Sequence, residues 1–193
     1  MRIPLFLRVL PVYVLIALLV FLPFWQKHEV KVHAQAASQR AAAQLAVAHK
    51  PTVPLISGTP VRIIIGDVGV DVPIVNGSYD AQNTVWSVSG SAANYATNTA
   101  LLNNKHDATL IYGHWTQSIF GPTKNLVPGQ IAYIYTDNGH LFQYRYIAKQ
   151  IYAPSDTTVF QTLKGKPGLA LMTCQGLWAQ ERRIMYFELV SAV

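Results

Sequence analysis

An uncharged apolar run lies close to the N-terminus of the chain. No charged residue occurs from Val9 to Trp25, and Ile3–Phe6 extend the apolar stretch towards the start of the sequence. An α-helix needs about 20 apolar residues to span a hydrocarbon core about 30 Å thick, and the charge of Arg8 can reach the headgroups. The pattern predicts a single membrane-spanning helix in residues 1–27, with the N-terminus inside the cell.

The next stretch, residues 28–57, is rich in alanine and has prolines near its end. Alanine favours a helix and proline interrupts it, so this stretch is predicted to be a stalk or a solvated linker. Ala34–Ala36 also resembles the small-x-small site of a cleaved signal peptide. Lys27, Glu29 and Lys31 separate that site from the apolar run, which favours an anchor that stays attached.

From residue 58 onward, short apolar or alternating segments are separated by Gly, Pro, Asn and Asp. In residues 140–152, for example, Phe142 and Tyr144 alternate with Gln143 and Arg145. Since side chains point alternately to the two faces of a strand, this pattern predicts one buried and one exposed face. The predicted strands are 61–66, 70–75, 109–113, 130–136, 140–152, 168–174 and 182–190.

Turns and short helices complete the predicted pattern of residues 58–193. Asp67–Gly69 and Asp137–Gly139 have the residue types of tight turns between strands. Short helices are predicted near Ala92–Tyr95, Ser118–Asn125 and Thr157–Leu163. Many short strands with few long helices are typical of an all-β barrel or sandwich.

The composition excludes several functions. Six basic residues and one acidic residue lie in 1–57, a net charge of +5, whereas the other nine basic and eight acidic residues lie in 58–193, a net charge of +1. A nucleic-acid-binding domain carries its own basic face, so no nucleic-acid partner is predicted. The single cysteine excludes an intramolecular disulfide, and the histidines lack metal-ligand spacing. No metal site and no cofactor are expected.

Three residues at predicted strand ends could carry chemistry. The only cysteine, Cys174, ends an apolar strand, His114 follows another, and Arg182 opens the strand after Cys174. A thiol needs a nearby imidazole or cation to become a good nucleophile, and a guanidinium can stabilise an oxyanion. Each residue also has a structural interpretation: a small buried hydrophobe, a structural histidine, and a charged edge that prevents strand pairing.

The surroundings of these residues resemble the sortase family of membrane-anchored cysteine transpeptidases. Leu171–Cys174 is similar to the family's strand-end T/L-x-T-C pattern, Tyr112–His114 to its Gly-His motif, and Arg182 to its arginine. Further similarity is found in Ile65–Ile74, Phe120, Leu126, Gly129, Gly139 and Tyr144. The resemblance covers residues 58–193, and the histidine, cysteine and arginine follow the family's order.

The resemblance implies an eight-stranded β-barrel with short helices and a transpeptidase reaction. Cys174 would cleave an LPxTG-like sorting signal through a thioacyl intermediate, with His114 as acid and base and Arg182 as the oxyanion ligand. The implied substrate-binding residues are Thr173, Gln175 and Arg183. Arg183 competes with Arg182 for the catalytic role, but strand alternation sends their side chains to opposite faces, and Arg182 aligns better with the family.

The resemblance also implies partners and a location. The partners are a sorting-signal peptide, an amine acceptor (a peptidoglycan precursor or a pilin lysine), and membrane lipid around the N-terminal helix. The barrel would lie outside the cytoplasm on a single-pass anchor in the cell membrane. Two other functions stay open: a non-catalytic, membrane-tethered barrel that binds a peptide or an envelope polymer, and a surface cysteine hydrolase with water as acceptor.

Overall fold

The computed structural model describes residues 35–36, 38–40, 53–80, 82–83, 85–176 and 180–193. The chain divides into two units, Met1–Val53 and Pro54–Val193. In the first unit the described residues before Val53 are helical, and the predicted anchor of residues 1–27 lies outside the described residues. No helix among the described residues is both long and apolar enough to span a bilayer.

Twelve strands are formed by the described residues of Pro54–Val193. They are β1 (Ser57–Gly58), β2 (Pro60–Ile65), β3 (Val70–Gly77), β4 (Tyr79–Asp80), β5 (Val85–Trp86), β6 (Ala93–Ala96), β7 (Leu102–Asn103), β8 (Ala108–Gly113), β9 (Ile131–Thr136), β10 (Leu141–Tyr152), β11 (Gly168–Gln175) and β12 (Glu181–Ala192). Eight of them close into a barrel in the order β10-β12-β11-β8-β6-β3-β2-β9, which confirms the predicted all-β barrel. Within the barrel, β3–β6 and β8–β11 are parallel pairs and the other neighbours are antiparallel.

Helices in this unit are short. Gly121–Asn125 forms a 3-10 helix within the predicted segment Ser118–Asn125, and Val159–Thr162 forms one α-helical turn within Thr157–Leu163. The helix predicted near Ala92–Tyr95 is wrong, because β6 takes most of this segment into the barrel between β3 and β8. Every residue of β6 is buried, so pairing with two neighbouring strands overrides the helix preference of its alanines.

Both predicted turns are confirmed. Between β2 and β3, Gly66–Val68 makes a 3-10 turn that ends at Gly69, whose φ of 71° is left-handed. Between β9 and β10, Gly139 has a φ of 86°. Glycine adopts such angles without the clash of a Cβ, so each hairpin depends on its glycine.

The strands separate two hydrophobic clusters. Along β11, Leu169 and Leu171 point into the barrel, whereas Met172 points to its outer face. We call the inner cluster the barrel core and the outer one, which includes the helix Val159–Thr162, the groove cluster. The buried members of the groove cluster are Ala96, Leu110, Tyr112, Tyr152, Val159, Leu163, Ala170, Met172 and Ile184. Cys174, two residues after Met172, continues this outer face.

Candidate active site

The ends of β8, β11 and β12 bring the three predicted catalytic residues together. In the parallel pair β8–β11, Thr173 lies opposite Gly113, so the next residues along the chain, Cys174 and His114, are neighbours. In the antiparallel pair β11–β12, Cys174 lies opposite Arg182. Cys174 therefore lies between the other two residues at one end of the barrel.

A cavity of about 250 Å³ opens on the outer face at these strand ends. His114, Cys174 and Arg182 all line it, together with Thr173. Cys174 and Arg182 are half-buried and His114 is exposed, so a ligand can reach all three. The cavity thus combines a thiol, an imidazole and a guanidinium in one open space.

One wall of the cavity is the hairpin β4–β5, which was not among the predicted strands. Val85 and Trp86 of β5 and the nearby Val88 line the cavity, and both valines are exposed. The Trp86 ring packs on Tyr112 with centroids 4.4 Å apart and on Tyr79 with centroids 4.7 Å apart. Strands of two residues each hold no alternating pattern that could have revealed this wall from the sequence.

Tyr112 holds the hairpin against the barrel. Its hydroxyl donates a hydrogen bond to the Ser87 carbonyl at 2.7 Å and lies 3.3 Å from the Ser78 carbonyl. Burial raises the pKa of the Tyr112 phenol, so the phenol stays protonated and able to donate. Gly77 leaves the space for this hydroxyl, because a Cβ at that position would overlap it.

The backbone of His114 is held by the segment that follows it. The Phe120 N–H donates to the His114 carbonyl at 3.2 Å. Gly113 allows this close packing, since a Cβ there would lie 2.8 Å from the Ile119 side chain. Thr173 is buried and donates from Oγ1 to the Gly113 carbonyl at 2.8 Å, so its hydroxyl joins β11 to β8 beside the site.

Gln175 and Arg183, which were predicted to bind substrate, are not among the described residues that line the cavity. They lie on the other face of β11 and β12, where the Arg183 Nε donates to the Gln175 Oε1. The Arg183 guanidinium also lies over the Trp115 ring, and burial lowers the pKa of Arg183. The two adjacent arginines therefore occupy opposite faces of β12, with Arg182 at the cavity.

Comparison with known proteins identifies the family. The family model for the sortase domain matches residues 63–190, well over half of the chain. The chain belongs to the sortase family. No curated protein matches the sequence of this sortase.

Solved sortase structures share the fold of this sortase. Sortase C2 of pilus island 1 from group B Streptococcus is 18% identical, with a TM-score of 0.57 over 68% of this chain and 73% of its own. Sortase C-1 from Actinomyces oris is 19% identical, with a TM-score of 0.56 over 80% and 98% of the two chains. Sortase E1 from Streptomyces coelicolor, solved with a tripeptide in the active site, is 19% identical, with a TM-score of 0.58 over 70% and 90%.

The cavity of this sortase is suited to negative charge. Of the described residues that line it, Arg182 is charged and none is aspartate or glutamate. A guanidinium in such a site stabilises negative charge that develops on a bound carbonyl oxygen. Within the described parts of the chain, no group of three His, Cys, Asp or Glu side chains could hold a metal ion.

Proposed function

We propose that this sortase is a cysteine transpeptidase that cleaves a sorting-signal peptide and joins the released acyl group to an amine. The observation that carries the proposal is the cavity shared by Cys174, His114 and Arg182. Acyl transfer needs a nucleophile, a proton carrier and a group that stabilises negative charge, and these side chains supply them. Membership of the sortase family supports the same class of reaction.

The first step forms a thioester. The Cys174 thiolate attacks the carbonyl carbon of the scissile Thr–Gly bond, and the carbonyl electron pair moves to the oxygen. Arg182 and the backbone N–H of Gln175 stabilise this oxyanion. When the tetrahedral intermediate collapses, the C–N bond breaks and protonated His114 gives its proton to the departing amine. The acyl group stays on the sulfur.

The second step releases the product. Neutral His114 accepts a proton from the incoming amine as the amine nitrogen attacks the thioester carbonyl. The C–S bond breaks, the Cys174 thiolate leaves, and a new amide bond forms. The imidazole is protonated again, so the enzyme returns to its starting state. Water in place of the amine would give a free acid by the same steps.

The walls of the cavity favour an extended peptide with apolar side chains. Val85, Trp86, Val88 and Met172 give these walls an apolar surface beside Cys174. The donor proposed is an LPxTG-like sorting signal, and the acceptor is an amine of a peptidoglycan precursor or a pilin lysine. The tripeptide in the active site of the Streptomyces coelicolor sortase, which has the same fold, supports a peptide ligand.

The N-terminal region gives the proposed location. Residues 1–27 would anchor the chain in the cell membrane, residues 28–57 would form a stalk, and residues 58–193 would act outside the cytoplasm. The uncharged run from Val9 to Trp25 supports this arrangement. The full chain should stay in the membrane pellet after an alkaline carbonate wash. Release of the full chain into the wash would contradict the anchor.

The test of the activity uses the full chain in detergent, a panel of LPxTG-like peptides and an added amine. The wild-type chain should give an amine conjugate whose yield rises with amine concentration, and mass spectrometry should detect an acyl adduct on Cys174. Cys174→Ala should give neither product. Free acid at every amine concentration, without conjugate, would indicate a hydrolase. If the wild type and Cys174→Ala both bind the peptide and neither cleaves it, the protein is a non-catalytic barrel.

A further inference from the structure

Arg183, which follows Arg182, contacts two residues that each follow another candidate catalytic residue: Trp115 after His114, and Gln175 after Cys174. We infer that these three, which we call the rear clamp, hold the candidate catalytic residues at their working spacing. The catalytic part of this inference rests on the proposed function, whereas the geometric part does not. It reassigns Gln175 and Arg183 from substrate binding to positioning.

The rear clamp lies on the face opposite the cavity. Side chains alternate along a strand, so when Cys174 and Arg182 face the cavity, Gln175 and Arg183 face away from it. Met185, the next position on the same face of β12 as Arg183, belongs to the barrel core. The rear clamp therefore caps the barrel core at the end of the barrel that carries the cavity.

One member of the rear clamp, Trp115, lies beyond the end of the β8–β11 pairing. The last paired residues of β8 and β11 are Gly113 and Thr173. Trp115 follows this pair, so the hydrogen bonds of the β8–β11 ladder do not hold it. Its contact with Arg183 links the segment after β8 to β12, across the end of β11. These are the three elements that carry the candidate catalytic residues.

The contacts of Arg183 restrict its geometry. Its guanidinium carbon lies 4.6 Å from the centre of the Trp115 ring, which is within cation–π range. Its Nε donates to Oε1 of Gln175, and Nε2 of Gln175 donates to Glu181 at 2.9 Å, so the amide is oriented from both sides. Among the described residues, Arg183 makes no ion pair with a carboxylate. The planar guanidinium makes both contacts at once, because its face lies over the ring while its Nε donates to the amide.

Without the rear clamp, the candidate catalytic residues would still line the cavity, but the distances between them would no longer be fixed. A displacement of about 1 Å at a reacting group can lower a rate about a hundredfold. The described lining of the cavity includes no member of the rear clamp. Its removal should therefore slow the chemical steps more than it weakens peptide binding.

The test compares Trp115→Ala, Arg183→Gln and the double variant in the full chain, with peptide transfer as the assay. Each single variant should lower kcat about tenfold or more and change KM less than about threefold. The double variant should lose about as much as the worse single variant, since either change breaks the same contact. Trp115→Phe keeps a ring face and should restore most of kcat, whereas Arg183→Lys lacks the planar fork and should not.

Two exposed positions provide matched controls. Arg145→Ala removes an arginine of β10 that pairs with Glu188, and Tyr133→Ala removes an exposed ring of β9. Both should keep kcat within about twofold of wild type. Alkylation of Cys174, the only cysteine, is a second readout that needs no peptide. Its rate constant at neutral pH should fall about threefold or more in the clamp variants and stay unchanged in the controls.

The outcomes separate this inference from the proposed function. A wild-type chain that transfers no peptide, but whose alkylation depends on the rear clamp, would overturn the proposed function and keep the geometric inference. An active wild type whose clamp variants keep their kcat and alkylation rate per folded molecule would overturn the rear clamp. The inference would also be overturned if the fold loss of kcat in the double variant equalled the product of the two single fold losses, because the two residues would then act independently.

Discussion

The barrel core and the groove cluster share strands β6, β8, β10, β11 and β12 but are packed to different degrees. In the barrel core, side chains such as Phe142 and Ile134 are 0% exposed. The groove cluster borders the cavity of about 250 Å³, and its Trp86 and Phe160 are only partly buried. Complete packing gives stability on the inner face, whereas incomplete packing leaves room for a ligand on the outer face.

The hydrogen bonding of buried hydroxyl groups also differs between the two clusters at particular positions. In the groove cluster, the hydroxyl of Tyr112 holds the hairpin β4–β5 by a hydrogen bond, and the Tyr152 and Tyr186 hydroxyls lie 2.8 Å apart. Inside the barrel, the hydroxyls of Tyr144 and Thr109 have no hydrogen-bond partner among the described residues. A buried hydroxyl without a partner costs free energy, so these two hydroxyls oppose folding.

The largest difference between the two clusters should appear in the free energy of unfolding when one phenylalanine is removed from each of them. Phe142→Ala empties a fully buried site in the barrel core and should lower the free energy of unfolding by about 3–5 kcal/mol. Phe160→Ala, at a partly buried site facing Trp86, should cost about 1–2 kcal/mol and raise KM for the peptide. Urea unfolding and steady-state kinetics check both. Equal losses of stability would contradict the division between the clusters.

The two adjacent arginines of β12 sharpen the comparison, because they occupy opposite faces. Arg182→Lys should lower kcat/KM about 100- to 1000-fold, since an ammonium group does not reproduce a planar guanidinium at the oxyanion. Arg183→Lys should lower it about tenfold, because it displaces the site without touching the substrate. Peptide-transfer kinetics on both variants check this. A larger loss for Arg183→Lys would reverse the assignment of the catalytic arginine.

Local patterns predicted most strands of the barrel. In β10, Phe142 and Tyr144 are buried and Arg145 is exposed, as the period of two along a strand requires. The pairing of Cys174 with Arg182 was predictable too, because their strands are adjacent in sequence and form a hairpin. The number of barrel strands was implied by the family resemblance, since alternation alone does not tell a barrel from a sandwich.

Long-range register could not be predicted from local patterns. Thr173 and Gly113 lie 60 positions apart and meet because β8 and β11 run parallel. The Trp115–Arg183 contact depends on that register, and no short segment encodes it. The hairpin β4–β5 was missed for a different reason: strands of two residues each are too short for an alternating pattern to be recognised.

A smaller effect should follow from removing the hydroxyl that holds the hairpin. Tyr112→Phe keeps the ring beside Trp86 but loses the bond to the Ser87 carbonyl, which should cost about 0.5–1.5 kcal/mol. Because the hairpin is a wall of the cavity, KM should rise about two- to fivefold. Tyr186→Phe removes a hydroxyl that bonds Tyr152 instead, so it should leave KM unchanged. A wild-type KM in Tyr112→Phe would mean that ring packing alone holds the wall.

The smallest effect on the free energy of unfolding is expected from a substitution at Tyr144, and this effect should be stabilising where the others are destabilising. Its hydroxyl is fully buried in the barrel core and lacks a hydrogen-bond partner among the described residues. Tyr144→Phe removes only that hydroxyl, so it should leave the free energy of unfolding unchanged or raise it by up to about 1 kcal/mol. Urea unfolding at neutral pH measures this difference, and a loss above about 1 kcal/mol would mean that the hydroxyl has a partner.

Alkaline pH should enlarge the difference in the free energy of unfolding between the wild type and Tyr144→Phe. Burial raises the pKa of the Tyr144 phenol far above its ordinary value near 10. As the pH rises past about 10, the phenol ionises in the unfolded chain but keeps its proton in the folded chain, so the folded state loses stability. Tyr144→Phe removes this loss, and the difference between the two stability curves isolates Tyr144 from the other tyrosines. Parallel curves would mean that solvent reaches this hydroxyl, which would contradict the complete packing of the barrel core.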